Sequence, residues 1–230
     1  MKKASCQVYI TLILVILILS DLTGFVTAQT GQEDASPQFL YPDYSESVVR
    51  LKNGQERTLS LNYNMVTENM VYEQDGKLYD LIGLETIDTI FIRGYSFVPF
   101  GKVFHEVVLT GPVTLFIQHQ GALIPPGKPA GYGGTSQTSS ITSYSGINTA
   151  GGFYNLKLPS DYKVNVNPTY WVRMDYQMHS FINKRQFLKI FPEHSGELKQ
   201  FIKKNRIRFD NREHIVRIIN YCNEFFPAIR

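Results

Sequence analysis

Leu59-Ser60-Leu61-Asn62-Tyr63-Asn64-Met65 alternates apolar and polar side chains without a break. A period of two puts Leu59, Leu61, Tyr63 and Met65 on one side of an extended chain and Ser60, Asn62 and Asn64 on the other, the pattern of a half-buried strand. Asn53-Gly54 precedes this stretch, and Asp75-Gly76 follows the short run at 70–73. Both dipeptides accept the positive φ angles that two-residue hairpin turns require. Strand-like runs continue at 89–92, 96–100, 103–109 and 113–119, punctuated by Gly94, Gly101 and Gly111-Pro112. Strands resume with Tyr154, Leu156 and Leu158, then Val164 and Val166, then Tyr170, Val172, Met174 and Tyr176. No helix-length amphipathic run interrupts residues 41–119. The spacing therefore predicts an antiparallel meander or small sandwich and excludes βαβ units.

From Asn183 the period changes to that of helices. Asn183 has the character of an N-cap, with Gln186 three residues on and Phe187, Leu188, Ile190 and Phe191 behind it. Pro192 ends that helix and can enter the first turn of the next. A second helix over about 193–205 turns Leu198, Phe201 and Ile202 inward. Asp210 and Glu213 form a start for a third, in which Ile215, Ile218, Ile219, Cys222 and Phe226 recur at helical spacing. Each helix is too short to be stable alone, so the unit is expected to dock on the strands near residues 170–176 through Phe187, Phe191, Phe201 and Phe226. The expected fold class is α+β: an antiparallel β-rich body followed by about three short C-terminal helices.

The first 28 residues have the order of a signal peptide. Lys2 and Lys3 open it, residues 8–19 are almost wholly apolar, and Val26-Thr27-Ala28 offers small residues where a signal peptidase cuts. The mature chain is expected to begin at Gln29; the rival reading is an uncleaved anchor extending through Phe25. Cys6 precedes the apolar stretch, which excludes a lipoprotein cysteine, and after cleavage Cys222 is the sole cysteine. No intramolecular disulfide is then available, which suits a bacterial envelope. Cys222 lies on the apolar stripe of the third helix and reads as a core thiol. Residues 29–40 read as a flexible leader, 41–182 as the β-rich domain with a long Gly/Ser/Thr loop at 121–152, and 183–230 as a basic helical region packed on it.

At 43% hydrophobic residues the chain can bury a core, and its 14 tyrosines and 15 phenylalanines favour strands. The net charge of +3 hides an asymmetry: residues 29–182 carry 10 basic and 14 acidic side chains, residues 183–230 carry 11 and 5. Lys199, Lys203, Lys204, Arg206 and Arg208 gather about the end of the second helix. Cations there complement the helix dipole. As a binding patch they point to anionic lipid headgroups or an acidic envelope protein, nucleic acid being excluded for an exported chain.

No catalytic or metal signature appears, and no cofactor is implied. The histidines are His105, His119, His179, His194 and His214, without HExxH or CxxC. His105-Glu106 and His119 can meet across paired strands, a pattern that coincidence also produces. The glycines at 131, 133 and 134 open no helix and serve turns. Ser136, Ser139, Ser140, Ser143 and Ser145 lack a G-x-S-x-G elbow. Carboxylates such as Glu68 and Glu73 are the raw material of a glycosidase, but such pairs occur in any sequence.

Leu61-Asn62-Tyr63-Asn64, Tyr132-Gly133-Gly134-Thr135-Ser136-Gln137-Thr138-Ser139-Ser140, Phe187-Leu188-Lys189-Ile190-Phe191-Pro192 and Tyr221-Cys222-Asn223 resemble segments of uncharacterised exported proteins of Bacteroidota. The resemblance implies location (periplasm, outer-membrane surface or exterior) and a strand-rich body with a helical end. It supplies no activity. The preferred reading is a non-catalytic envelope or surface interaction module. The alternative is an envelope hydrolase acting on glycans or peptides, which requires two facing carboxylates or a Ser–His pair.

Overall fold

Two antiparallel meanders share one sheet. The first comprises β1 (Ser45–Leu51), β2 (Glu56–Asn64), β3 (Asn69–Gln74) and β4 (Lys77–Asp80). A 3-10 turn at Leu84–Thr86 returns the chain to β5 (Ile87–Ile92), which pairs with β1, and β6 (Tyr95–Phe100), β7 (Val103–Leu109) and β8 (Thr114–Gln118) extend the sheet outward. Two two-stranded ladders then follow: β9 (Gly121–Ile124) pairs with β12 (Lys163–Val166), and β10 (Lys128–Pro129) with β11 (Thr135–Ser136). β13 (Thr169–Met174) and β14 (Gln177–Phe181) complete a ten-stranded antiparallel sheet in the order β14-β13-β8-β7-β6-β5-β1-β2-β3-β4. Three helices close the chain: α1 (Lys184–Ile190), α2 (Ser195–Lys204) and α3 (Arg212–Asn223). This computed structural model describes residues 36–124, 128–129, 135–136 and 163–226.

Asp75-Gly76 turns as expected of the dipeptide, whereas in Asn53-Gly54 only Gly54 has positive φ (84°), and Asn53 Oδ1 accepts the Gln55 N–H at 3.0 Å in a longer connection between β1 and β2. Asp75 and Gly76 both have positive φ (52° and 69°), as do Arg93 and Gly94 (50° and 81°). The β13–β14 turn achieves the same shape with Asp175 at 49° and Tyr176 at 62°, without a glycine.

Register places Val49, Ile90, Phe97, Glu106, Ile117, Tyr170 and Phe181 in one row across seven strands. This face is buried throughout, but by two means. At the β13–β14 end the helices cover it, so that Leu115, Ile117, Tyr170, Val172 and Phe181 pack against Phe187, Leu198, Ile202, Ile215, Ile218 and Ile219. At the β1–β6 end the sheet curls over itself around Leu61, Tyr63, Met70, Ile90 and Phe97. Four strands separate β2 from β8 in sheet order, yet the Tyr63 hydroxyl donates to the His119 carbonyl (3.0 Å) and the Gly121 N–H to the Met65 carbonyl (2.8 Å).

The helical region docks as its apolar stripes demand. Phe187, Phe191 and Cys222 are buried, while Phe201 and Phe226 are partly covered. Burial pushes the Cys222 thiol up to about 12, which keeps it protonated and inert. Asn183 caps α1 as expected, accepting the Gln186 N–H at 3.0 Å. The cap of α3 differs from the expectation. Asn211 accepts the His214 N–H at 3.0 Å, while Asp210 pairs with Arg208. Pro192 lies in the link before α2, outside the helix.

Two segment boundaries also differ. The end of the stretch read as a leader joins the core: Gln38 is buried, Phe39 bridges Asn64, and the Leu40 N–H donates to the Tyr63 carbonyl. Its apolar residues make it behave as an edge of the sheet and not as a polar tail. The stretch read as a loop at 121–152 opens with β9, which sequence inspection misses because its partner lies about 40 residues away. The remainder of that stretch, the signal peptide, residues 29–35 and the run at 154–158 lie outside the described residues.

Candidate functional site

In the seven-residue row on the buried face, Glu106 is the one charged side chain, seated between the two hydrophobic clusters. Its side chain is 2% exposed. An unpaired carboxylate there would cost several kcal/mol (about 3–5 when one partner of a buried pair is removed). The fold supplies two partners. Arg212, the first residue of α3, grips both carboxylate oxygens, one bond being 3.0 Å from Nη1 to Oε2. His119, just beyond β8, places Nε2 2.7 Å from Oε2. Burial pushes the Glu106 carboxyl upward, but hydrogen bonds from His119 and Arg212 and the guanidinium charge outweigh it and hold the group below its ordinary range. Aromatic rings frame the clamp. The Arg212 guanidinium lies 5.5 Å from the centre of the Tyr95 ring, and Tyr41 stacks on Tyr95 at 6.3 Å. Burial, reinforced by the Glu106 charge, raises the Tyr41 phenol well above its usual value.

The expectation that His119 meets the 105–106 pair across strands is thus met by Glu106 alone. His105 points to the opposite face, because neighbours in a strand alternate sides. A His–carboxylate pair is also half of a catalytic relay. The other half is a nucleophile on the second ring nitrogen, and among the described residues no hydroxyl or thiol bonds His119 Nδ1. The trio is an ion-pair clamp. It holds the start of α3 to β7, and Asn223 holds the other end to β8, accepting the Val113 N–H at 2.6 Å and donating to the Val113 carbonyl at 3.3 Å.

The basic residues singled out by sequence divide into two groups. Lys199, Lys203 and Lys204 are exposed on α2, whose buried side is Leu198 and Ile202. Arg206 is exposed in the turn that follows, with φ 50°. None of these four has an ion-pair partner among the described residues. Arg208 leaves the set: its guanidinium binds Asp210 through two bonds of 2.7 and 3.1 Å. The helical layer adds exposed Lys184, Arg185, Lys189 and Arg217.

Sequence reading did not find Arg212 as the partner of Glu106, nor Glu68 in its actual role. Glu68 does not face Glu73 as an acid–base pair; it accepts from the side chains of Gln118 and Gln120. Among the described residues no three His, Cys, Asp or Glu side chains are arranged to hold a metal ion. The serines of the 137–152 stretch lie outside the described residues. No family model, no curated protein and no solved structure matches this chain.

Proposed function

We propose that this chain is a non-catalytic binding module of the bacterial envelope or cell surface, exported by residues 1–28, whose helical layer holds an anionic surface. The observation that carries the reading is the group Lys199, Lys203, Lys204 and Arg206, four exposed cations without carboxylate partners among the described residues. Lys199 and Lys203 are four residues apart on one helix, a like-charge spacing that costs about 0.2–0.5 kcal/mol. The apolar side of α2 is committed to the core, so the cationic side faces outward. Near an anionic membrane each such cation contributes about 1 kcal/mol, and salt screens the attraction within about 10 Å.

The test is co-sedimentation of the mature protein with phosphatidylglycerol-containing and pure phosphatidylcholine vesicles. Binding is expected only to the anionic vesicles and falls with salt. Lys199→Glu, Lys203→Glu and Lys204→Glu together are expected to weaken it by at least about a hundredfold, from roughly 1 kcal/mol per charge. Equal binding of variant and wild type, or no binding at low salt, overturns the reading. Export is tested separately by N-terminal sequencing of the envelope-fraction protein, which is expected to start at Gln29.

A further inference from the structure

The face of the sheet opposite the helices carries a second organised cluster, centred on the only tryptophan of the chain. Register sets Ser96, Val107, Phe116, Trp171 and Ser180 in one row on this side, in which Phe116 is buried, Ser96 and Val107 are half-buried and Ser180 is exposed. Trp171 is partly exposed. Its ring does not choose its own orientation. The indole N–H donates to Gln118 Oε1 at 2.8 Å, and the Gln118 amide donates to Glu68 Oε2. The other Glu68 oxygen accepts from Gln120 at 3.1 Å, and Gln120 Oε1 accepts the Thr169 hydroxyl at 2.9 Å. The chain of bonds thus runs Trp171–Gln118–Glu68–Gln120–Thr169; it ties the ring to the end of β8 and to the β2–β3 turn and returns to β13.

Glu68 is held for this at a cost. It sits in the β2–β3 turn at φ 57°, the left-handed region that a side chain bearing a Cβ disfavours. Its carbonyl accepts the Phe104 N–H at 3.4 Å, which fixes the turn against β7. Strain of this kind persists where surrounding structure over-determines it and gathers at ligand sites.

Two more aromatic groups extend the platform. Phe100 is 46% exposed, and its ring centre lies 6.1 Å from that of Trp171. His105 stands edge-on to both, at 5.5 Å from Trp171 and 5.6 Å from Phe100. It is buried, and neither ring nitrogen has a hydrogen-bond partner. On its far side Trp171 reaches a cleft of about 540 Å³ between β14 and α1, lined also by Met178, Ser180, Gln186 and Lys189. That is within the ~300–1,000 Å³ range of ligand sites.

We propose that this face is a glycan-binding site, in which Trp171 stacks on the C–H face of one pyranose of a β-linked chain, Phe100, tilted by 57° to the indole, flanks the neighbouring unit, and Gln118, Gln120 and Glu68 bond the sugar hydroxyls. The chemistry favours a sugar over other ligands. An oriented, partly exposed indole beside amides asks for a ligand with an apolar face and a hydroxyl-rich edge. Each glutamine retains a second amide hydrogen, and the Glu68 carboxylate retains unused lone pairs, so the rim has both donors and acceptors left for hydroxyls. A lipid chain would leave those groups unpaired, and an anionic ligand would meet the Glu68 charge. The preorganisation of the ring lowers the ordering cost of binding. This site lies on the sheet and uses none of the α2 cations, so it stands or falls apart from the anionic-surface reading.

The test uses the mature wild-type chain, whose single tryptophan reports directly on the site. Titration with cellotetraose and with chitotetraose, followed by Trp171 emission and by calorimetry, is expected to give a saturable shift with at least one of them. Maltotetraose, whose curved α-linked chain offers no flat run of rings, is expected to bind at least about tenfold more weakly. Trp171→Ala is expected to abolish the heat of binding. Gln120→Leu keeps the reporter and is expected to weaken binding about tenfold or more, because a buried hydroxyl then lacks its partner. Thermal melts confirm that both variants fold, and if Trp171→Ala does not, Gln120→Leu decides. The Lys199→Glu, Lys203→Glu, Lys204→Glu variant is expected to bind the glycan as wild type does. Absence of binding of either β-linked tetraose up to about 10 mM, tenfold above a Kd of about 1 mM, overturns the proposal. So does protection of Trp171 from acrylamide quenching in the free protein, which would mean that another part of the chain covers the platform.

Discussion

Replacing Arg212 with methionine leaves the buried Glu106 carboxylate with His119 as its sole side-chain partner. The side-chain stem of Arg212 is retained in outline, so the change is chiefly one of charge. Breaking a buried pair by removing one partner costs about 3–5 kcal/mol. Arg212 is 41% exposed, so part of its attraction is already screened, and the lower end of about 3 kcal/mol is expected. Against a total stability of about 5–15 kcal/mol that is a large loss. The pH dependence separates this mechanism from mere loss of packing. In the wild type the carboxyl is held below its ordinary value of 4.5, so Glu106 contributes stability above that pH and loses it as pH falls through the folded value. In Arg212→Met burial dominates and the folded value rises, so protonation relieves the buried charge. The stability gap between variant and wild type is therefore widest at pH 7 and narrows toward pH 4.5. Urea denaturation at the two pH values, followed by circular dichroism, measures it. His105 titrates in both proteins and cancels in the difference. Glu106→Leu combined with Arg212→Met is expected to recover most of the loss, since a hydrophobic pair removes the unpaired charge. A gap under about 0.5 kcal/mol at pH 7, or one equal at both pH values, refutes the clamp.

Burial lowers the His105 imidazole from 6.5 to about 4, so between those values the unfolded chain binds the extra proton and stability falls with pH, by at most about 3 kcal/mol. His105→Leu is expected to flatten that window in urea titrations, and an unchanged slope counts against a buried neutral imidazole. Tyr176 is 93% exposed with φ 62°, so Tyr176→Gly is expected to raise stability by about 1 kcal/mol through relief of the left-handed backbone, and a lower melting temperature contradicts this. Ile219 is fully buried in the helix–sheet seam, so Ile219→Asp is expected to lose more than about 3 kcal/mol, whereas exposed Lys203→Ala stays within about 0.5 kcal/mol. Like melts for the two variants would show that α3 is not docked.

The sequence by itself determined what depends on neighbours within a few residues. Alternation in 59–65 fixes which side chains of β2 share a face, Asp75-Gly76 fixes a tight turn, and Asn183 with Gln186 fixes the start of α1, since period, φ preference and capping are local. The three helical stripes are legible for the same reason. Even the near miss at α3 is local: Asp210 and Asn211 are adjacent and both competent caps, and Asn211 caps the helix while Asp210 pairs with Arg208 two residues before it. What only the tertiary structure decided is which strand lies beside which, and hence which side chains meet. The pairing of β1 with β5, the grip of Arg212 on Glu106 across 106 residues and the bond from Trp171 to Gln118 across 53 are set by closing long loops over a shared core. His105 and Glu106 show the division most directly. Adjacency in the chain guarantees that they face opposite ways. Only the register with β8, which the joint burial of both clusters selects, brings Glu106 to the clamp and leaves His105 beneath the tryptophan.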